Sequence, residues 1–97
     1  MKTFWVYMVL CDDGSYYIGV TNNVDRRVAQ HNLGEDKDSY TFRRRPVHLV
    51  YASEFQHAGD GINWEKQIKR WSRAKKAALA AGDFSGLHGL ARRKSQG

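Results

Sequence analysis

The chain of 97 residues is long enough for one small domain. Hydrophobic residues make up 41% of it, which excludes a disordered chain, and no apolar run approaches the roughly 20 residues of a membrane span. The N-terminus carries no signal-peptide pattern, and the single cysteine, Cys11, cannot form an internal disulfide. We therefore expect a cytoplasmic location and a core or hairpin position for Cys11.

The net charge of +6 is unevenly distributed along the chain. Residues 1–39 hold four Lys or Arg against six Asp or Glu, whereas residues 40–97 hold twelve against four. A basic half suits a phosphate backbone, because each neutralised phosphate releases condensed counterions. A solvated face without a partner would have the same composition. A membrane surface is less favoured, because no amphipathic apolar face accompanies the charges.

The first predicted element is a β-hairpin. Two apolar and aromatic runs, residues 5–10 and 16–20, flank a turn that contains Asp13-Gly14. Alternation places Tyr7 on one face of the first strand and lets Tyr17 and Gly19 share that face across the turn. The pattern therefore predicts two phenols on one side of the hairpin.

A helix is predicted directly after the hairpin. One of residues 21–23 is the N-cap, and Leu33-Gly34 ends the helix. Arg27 and His31 share one helix face with two valines, at i, i+3, i+4 and i+7. That face brings an arginine and a histidine toward the two phenols. The alternative is that Arg27 extends past Val28 to water and His31 is an ordinary interfacial histidine.

Residues 34–45 read as a polar loop that ends in a cationic cluster. Its arginines are Arg43, Arg44 and Arg45, and Tyr40 and Phe42 alternate with them. Such a mixture can stack on bases while it pairs with phosphates. The competing interpretation is that Tyr40 and Phe42 pin the loop to the core. Pro46 then opens a third strand over residues 47–51, which can continue to Phe55.

A second helix is predicted over residues 62–71. Its apolar stripe consists of Trp64, Ile68 and Trp71, and Glu65 lies one step to the side. A glutamate there would ordinarily be a surface residue in a weak pair with a nearby lysine. Its pattern alone does not indicate a metal ligand.

A third helix is predicted over residues 73–81, capped by Ser72, closed by Gly82 and docked through Leu79. The corner around its start is basic and could hold a duplex backbone or be merely solvated. Its cations are Lys69, Arg70, Arg73, Lys75 and Lys76. Residues 83–97 are predicted as a C-terminal extension with a short helix over 84–91 and a frayed basic tail.

These elements predict an α+β fold: a small central antiparallel sheet of about three strands, flanked by helices, in a single domain over residues 1–82. The helix with Arg27 and His31 packs on one side of the sheet. The Glu65 helix and its successor lie around it.

The motifs resemble the GIY-YIG endonuclease superfamily, and are nearest to its small single-domain bacterial branch. Tyr17-Ile18-Gly19 is the second half of the motif, and Trp5-Val6-Tyr7 stands where the first half would be. Further matches are Thr21, Arg27, His31, Asn32 and the helix segment from Trp64 to Lys69. The resemblance covers roughly the first four fifths of the chain, which makes it more specific than one short motif.

The resemblance implies a divalent-metal-dependent hydrolase of DNA phosphodiester bonds, an endonuclease or structure-tolerant nuclease with a role in repair or recombination. It also implies that one tyrosine is the general base and that Arg27 clamps the scissile phosphate. We assign the base to Tyr7 and a positioning or phosphate-binding role to Tyr17, although the two tyrosine roles could be reversed. On the same resemblance, Glu65 would hold a single weakly bound Mg²⁺ or Mn²⁺. We expect the cations Arg27, protonated His31 and the metal to lower the pKa of the tyrosine.

Two departures from the family pattern bear on activity. Val20 occupies a position where many members carry a lysine, so His31 would have to serve as the hydrogen-bond partner or proton relay of the tyrosine. No attached DNA-binding domain is evident, so we expect a monomer that binds branched, nicked or single-stranded DNA weakly, or one that another protein recruits. The alternative function is a non-catalytic nucleic-acid-binding module that retains the fold. A small structural or ribosome-associated protein would explain the charge but not the convergence of these side chains.

Overall fold

The computed structural model describes residues 3–82, and the elements predicted in 83–97 lie outside them. Strands β1 (Phe4–Leu10), β2 (Tyr16–Thr21) and β3 (His48–Phe55) form one antiparallel sheet in the order β2-β1-β3. Helices α1 (Val24–Leu33), α2 (Ala58–Lys69) and α3 (Arg73–Ala81) flank it. The predicted α+β fold is confirmed, whereas the domain boundary at residue 82 stays a prediction. Within residues 3–82, no helix has the length and apolar character needed to cross a membrane.

The hairpin of β1 and β2 forms as predicted, and the side chain of Asp13 stabilises its turn. The carboxylate of Asp13 accepts hydrogen bonds from the backbone N–H of Ser15 at 3.0 Å and from its hydroxyl at 2.6 Å. Gly14 has φ of +85°, a conformation that L side chains rarely adopt. The resulting register pairs Tyr7 with Gly19 and Val9 with Tyr17. The predicted shared face is therefore confirmed.

Strand β1 has a different core on each face. Its even-numbered side chains, Val6 and Met8, pack with Ile18 and with the helices α2 and α3 through Ile68 and Leu79. Its odd-numbered side chains face α1. That second cluster contains Tyr7, Val9, Cys11, Val47, Tyr17, Val24 and Val28. The period of two along a strand thus separates the apolar core from a face that carries two phenols.

Helix α1 begins and ends where the sequence predicts. The side chain of Asn23 accepts a hydrogen bond from the backbone N–H of Arg26 at 3.0 Å and serves as the N-cap. At the other end, Gly34 adopts φ of +70° and its N–H bonds to carbonyls of the last turn. These two caps fix which side chains of α1 face the sheet.

The predicted start of α2 is wrong by four residues. The helix begins at Ala58 rather than Ile62 and ends at Lys69, and it includes Gly59 and Gly61. Glycine disfavours a helix in isolation, but Gly61 is buried, and a Cβ there would lie 3.6 Å from the side chain of Phe55 at the end of β3. Tertiary packing therefore overrides propensity in this first turn. Trp71 lies beyond the helix end but still contacts Trp64 edge-on, at 5.5 Å between ring centroids.

We expect Ile68→Ala to lower the free energy of unfolding by about 2–5 kcal/mol, because Ile68 has no exposed surface and its truncation leaves a cavity beneath the sheet. Urea denaturation followed by circular dichroism measures the change. Ile62→Ala on the same helix is the matched control, since that side chain is 41% exposed. Equal effects of the two substitutions would contradict the packing of α2 described here.

Candidate active site

Tyr7 lies at the floor of the site, and its ring has no exposed surface. The residue opposite it in β2 is Gly19, and a Cβ there would lie 2.7 Å from the phenolic oxygen. The glycine of the Tyr17-Ile18-Gly19 motif is therefore needed for space. Any side chain at this position would displace the phenol that the motif surrounds.

His31 connects Tyr7 to the loop after α1. Its Nε2 lies 2.9 Å from the Tyr7 hydroxyl, and its Nδ1 lies 2.7 Å from the hydroxyl of Thr41. Tyr17 meets the imidazole edge-on, with 5.2 Å between centroids. The predicted convergence of two phenols with the histidine of α1 is thus present.

Arg27 and His31 line a pocket of about 390 Å³ beside the buried phenol of Tyr7. The Nε of Arg27 donates to the side-chain oxygen of Gln30 at 3.2 Å, which leaves its terminal nitrogens for other partners. The pocket is lined by Tyr17, Arg27, Gln30, His31, Gly34, Glu35, Asp36, Ser39 and Thr41. A guanidinium and an imidazole in one concave site can bind a phosphodiester oxygen.

The acid–base properties of the site differ from the expectation for Tyr7. Burial, followed by the neighbouring Tyr17, raises its pKa to about 12, although the Arg27 charge acts in the opposite direction. The expected lowering by surrounding cations is therefore wrong for the metal-free protein. For His31, burial and the Arg27 charge lower the pKa, so the imidazole is neutral at pH 7.

Glu65 approaches from α2, the helix on the opposite side of the sheet from α1. Its carboxylate is 17% exposed and pairs with Lys69 at 3.0 Å, which is the i, i+4 pair that the pattern suggested. Its charge nevertheless contributes to the raised pKa of Tyr7, although it is the smallest of the causes named. Glu65 therefore acts on Tyr7 from a distance, whereas Tyr7, Tyr17, Arg27 and His31 form one cluster.

The donor set suits, at most, a weak site for a hard cation. Residues 3–82 contain no group of three or more His, Cys, Asp or Glu side chains that could hold a metal ion. A single largely buried carboxylate provides the oxygen ligand that Mg²⁺ or Mn²⁺ prefers, with water and substrate supplying the rest. Glu65 fits such a site if Lys69 releases it.

The ring of Tyr40 contacts both Tyr17 and Arg44. One face stacks on Tyr17, with 6.0 Å between centroids and 21° between planes, and the guanidinium of Arg44 lies 3.8 Å from the ring centre. Arg44 also pairs with Asp13 in the hairpin turn at 3.0 Å. Of the two interpretations of this aromatic residue, the contacts favour the one in which it pins the loop.

Two further arginines of the predicted nucleic-acid surface also hold the fold together. Arg45 donates to the carbonyl of Phe42 at 2.8 Å and lies over that ring, and Arg73 donates to the carbonyl of Gly14 at 2.8 Å. The ammonium of Lys75 lies over the Trp71 ring at 4.2 Å. The remaining cations of the predicted set are Arg43 and Arg70, which are exposed, Lys69, which is half-exposed and paired with Glu65, and Lys76.

Lys76 and Arg73 line a depression of about 310 Å³ between the hairpin turn and α3. Its other lining residues are Asp13, Gly14, Ser15, Tyr16 and Tyr40. Tyr40 lines this depression and stacks on Tyr17, which lines the pocket of Arg27 and His31, so the two concave regions are neighbours. This geometry provides a cationic surface next to the candidate active site.

Sequence reasoning missed Gln30 and Thr41, two polar residues that support the site, and identified Asn32 only as a motif match. Thr41 is 1% exposed and bonded to His31, and Gln30 orients Arg27. The amide of Asn32 bonds to both the N–H and the carbonyl of Val47, at 2.7 Å and 3.0 Å, and so fastens α1 to the start of β3. The i, i+3 spacing of Arg27 and Gln30 was a usable signal, whereas nothing in the sequence places Thr41 beside His31.

A sheet of three antiparallel strands with two phenols, an arginine and a histidine clustered on one face defines a GIY-YIG type domain. The family model described as the GIY-YIG catalytic domain matches residues 3–78. The chain belongs to this family.

Its similar relatives are small proteins of about the same length. A UPF0213 protein of Staphylococcus aureus is 42% identical over 79 residues, which cover 81% of this chain and 95% of the relative. The solution NMR structure of a UPF0213 protein from Bacillus halodurans matches with a TM-score of 0.53 and 34% identity, covering 94% of this chain and 99% of that one. A second NMR structure, of a protein from E. faecalis, gives a TM-score of 0.58 at 26% identity, covering 100% and 97%.

Proposed function

We propose that this protein is a divalent-metal-dependent nuclease that hydrolyses phosphodiester bonds of DNA. The observation that carries the proposal is the hydrogen-bonded Tyr7–His31 pair beside Arg27 in a pocket on one face of the sheet. A binding module would need the positive charge but not a buried phenol bonded to an imidazole.

Tyr7 is the general base in this proposal, and His31 is the acceptor of its proton. A phenol with a pKa of about 12 is almost never ionised at neutral pH, so a preformed phenolate is a poor explanation. If the hydroxyl proton passes to Nε2 of His31 while Tyr7 takes a proton from the attacking water, no free phenolate is needed. Because Tyr7 is fully buried, the substrate must displace a covering side chain before water reaches it.

Arg27 and Tyr17 bind the scissile phosphate in the same scheme. Both line the pocket, and the guanidinium can donate to two phosphoryl oxygens as negative charge develops on them. Gln30 limits the rotation of Arg27 by accepting from its Nε. Glu65 would hold Mg²⁺ or Mn²⁺, which when bound supplies a Lewis acid for the phosphate and the leaving 3′ oxygen.

The basic surface supplies affinity without sequence preference. Substrate phosphates would meet it next to the pocket, at the depression between the hairpin turn and α3. The proposed contacts are the exposed part of Tyr40, which also pins the loop, and the cations Arg43, Arg44, Arg45, Lys69, Arg70, Arg73, Lys75 and Lys76. Since three of these arginines also hold elements of the fold together, we expect binding to be weak. We propose that the protein acts as a cytoplasmic monomer in repair or recombination. Its substrate would be branched or nicked DNA, or another protein would recruit it.

We expect Lys76→Ala to weaken DNA binding about threefold to tenfold at moderate salt. The slope of the logarithm of the binding constant against the logarithm of the salt concentration should become shallower by about one, which corresponds to one lost phosphate contact. Lys76 lines the basic depression, whereas Lys37 is exposed in the acidic loop between Asp36 and Asp38. Fluorescence anisotropy across a salt series measures both variants. A loss for Lys37→Ala as large as that for Lys76→Ala would rule out this depression as the binding surface.

Activity should fall in acid, because protonated His31 cannot accept the Tyr7 proton. Burial and Arg27 lower the pKa of His31, so the acid limb should lie below the ordinary histidine value of about 6.5, with the rate falling about tenfold per pH unit beneath it. Single-turnover cleavage from pH 5 to pH 9 tests this. The exposed His48→Gln variant should keep the same profile, and a rate that is independent of pH over this range would refute the role of His31.

The function itself is tested by incubating the protein with labelled branched, nicked, single-stranded and duplex DNA, in Mg²⁺, Mn²⁺ or chelator. We expect metal-dependent cleavage that Glu65→Gln abolishes while DNA binding survives. Asp60→Asn, which removes an acidic charge from an exposed position of the same helix, should cleave normally. If the wild type binds DNA but never cleaves it, the protein is a nucleic-acid-binding module on the nuclease fold.

A further inference from the structure

The loop after α1 contributes one almost fully buried hydroxyl to the site. Thr41 is 1% exposed, and its oxygen lies 2.7 Å from Nδ1 of His31, the nitrogen that does not meet Tyr7. It also lies 3.0 Å from the hydroxyl of Ser39. A short hydrogen bond to a ring nitrogen is the interaction that selects one imidazole tautomer.

The direction of these hydrogen bonds follows from the buried phenol. The neighbours of the Tyr7 hydroxyl within residues 3–82 include His31 and Arg27, and an arginine can only donate. The phenolic proton therefore needs Nε2 of His31 as its acceptor, because an unsatisfied buried donor is strongly unfavourable. In a neutral imidazole the proton is then on Nδ1, which donates to Thr41.

Ser39 is the last group in this series of hydrogen bonds. Its hydroxyl oxygen accepts from the backbone N–H of Thr41 at 3.3 Å and is within reach of the Thr41 hydroxyl, which can donate to it. The oxygen of Thr41 is thereby left as an acceptor for His31. One arrangement of protons therefore accounts for every hydrogen bond from Tyr7 through His31 and Thr41 to Ser39.

We propose that Thr41 is a positioning residue, which holds His31 in the Nδ1-protonated tautomer and so keeps Nε2 free to take the proton of Tyr7. The catalytic consequence of this tautomer rests on the nuclease function proposed above. The tautomer itself is a property of the folded protein and is measurable without any substrate.

The test measures the ¹⁵N resonances of the His31 imidazole by long-range proton–nitrogen correlation, in the metal-free protein at neutral pH. In the wild type we expect a protonated Nδ1 and an unprotonated Nε2. Thr41→Val keeps the shape of the side chain but cannot accept a hydrogen bond, so the Nδ1 proton loses its partner and the ¹⁵N shifts should move part of the way toward those of the Nε2-protonated form, since the Tyr7 bond to Nε2 remains. Thr41→Ser should restore the wild-type tautomer.

Cleavage assays on the same proteins connect the tautomer to the reaction. We expect Thr41→Val to lower kcat about tenfold or more with little change in KM, and Thr41→Ser to recover most of the loss. Thr21→Val is the matched control, because Thr21 is also buried and its hydroxyl bonds only to the backbone of Asn23 among the described residues.

Two results would overturn the proposal: a wild-type His31 protonated on Nε2, or a Thr41→Val protein whose His31 ¹⁵N shifts do not move from the wild-type values. If Thr41→Val does not fold, as its circular dichroism spectrum would reveal, the wild-type and Thr41→Ser spectra still decide the tautomer. If the tautomer shifts as expected but the wild type cleaves no DNA, the positioning role stands and the nuclease function fails.

Discussion

Tyr7→Phe should reduce the rate of DNA cleavage about 100-fold to 10,000-fold, the range that a positioned acid–base group contributes. The substitution removes one oxygen and keeps the ring, which packs in a fully buried site with Val9 and Val47. Stability should change little apart from the lost hydrogen bond to His31. Single-turnover kinetics at saturating protein, together with thermal denaturation, separate the two effects.

The chain provides a matched control for this substitution. Tyr51 also carries a bonded hydroxyl, which accepts from the indole of Trp64 at 3.0 Å, but it packs in the core on the α2 side of the sheet. Tyr51→Phe should therefore leave cleavage unchanged. Tyr17→Phe should lose only about tenfold if Tyr17 positions the phosphate. A larger loss for Tyr17→Phe than for Tyr7→Phe would reverse the roles of the two tyrosines.

Arg27→Ala should lower cleavage on the order of 1,000-fold, because it removes the cation in the pocket that can neutralise charge building on the phosphoryl oxygens. Arg27→Lys should recover only part of the loss, since an ammonium cannot donate to two oxygens in a fixed plane or keep the bond to Gln30 Oε1 in the same geometry. Cleavage rates under single-turnover conditions measure both variants.

Arg26→Ala is the control for that experiment. Arg26 is the preceding residue and carries the same charge, but it is exposed on α1. Its removal should change binding slightly and the cleavage step not at all. If Arg26→Ala and Arg27→Ala lose activity equally, the effect is one of overall charge, and the proposed phosphate contact is wrong.

The parts of the fold that could be predicted are those governed by local patterns. Alternation and the turn at Asp13-Gly14 predicted the hairpin and the shared face of Tyr7, Tyr17 and Gly19, whereas the pairing of Tyr7 with Gly19 came from the structure. Helix periodicity placed Arg27 and His31 toward that face. The family motif then indicated which of these side chains to consider together, since composition alone does not distinguish a site from a solvated face.

What could not be predicted depends on contacts between segments distant in sequence. The early start of α2 includes Gly59 and Gly61 despite the low helix propensity of glycine, and Gly61 is buried beside Phe55 at the end of β3. Arg44 looked suited to phosphates, but the hairpin turn brings Asp13 to it from 31 residues away. The raised pKa of Tyr7 likewise follows from burial, which a list of neighbouring cations does not reveal.

The division of strand β1 into two faces has an evolutionary consequence. The even-numbered side chains of β1 belong to the core that meets α2 and α3, whereas the proposed chemistry uses Tyr7, which belongs to the separate cluster on the other face. Substitutions that abolish the reaction therefore need not unfold the domain, and new side chains can be tried around the pocket on an intact scaffold. A lineage built this way can lose catalysis and keep a binding protein, or change its substrate, without first rebuilding its core.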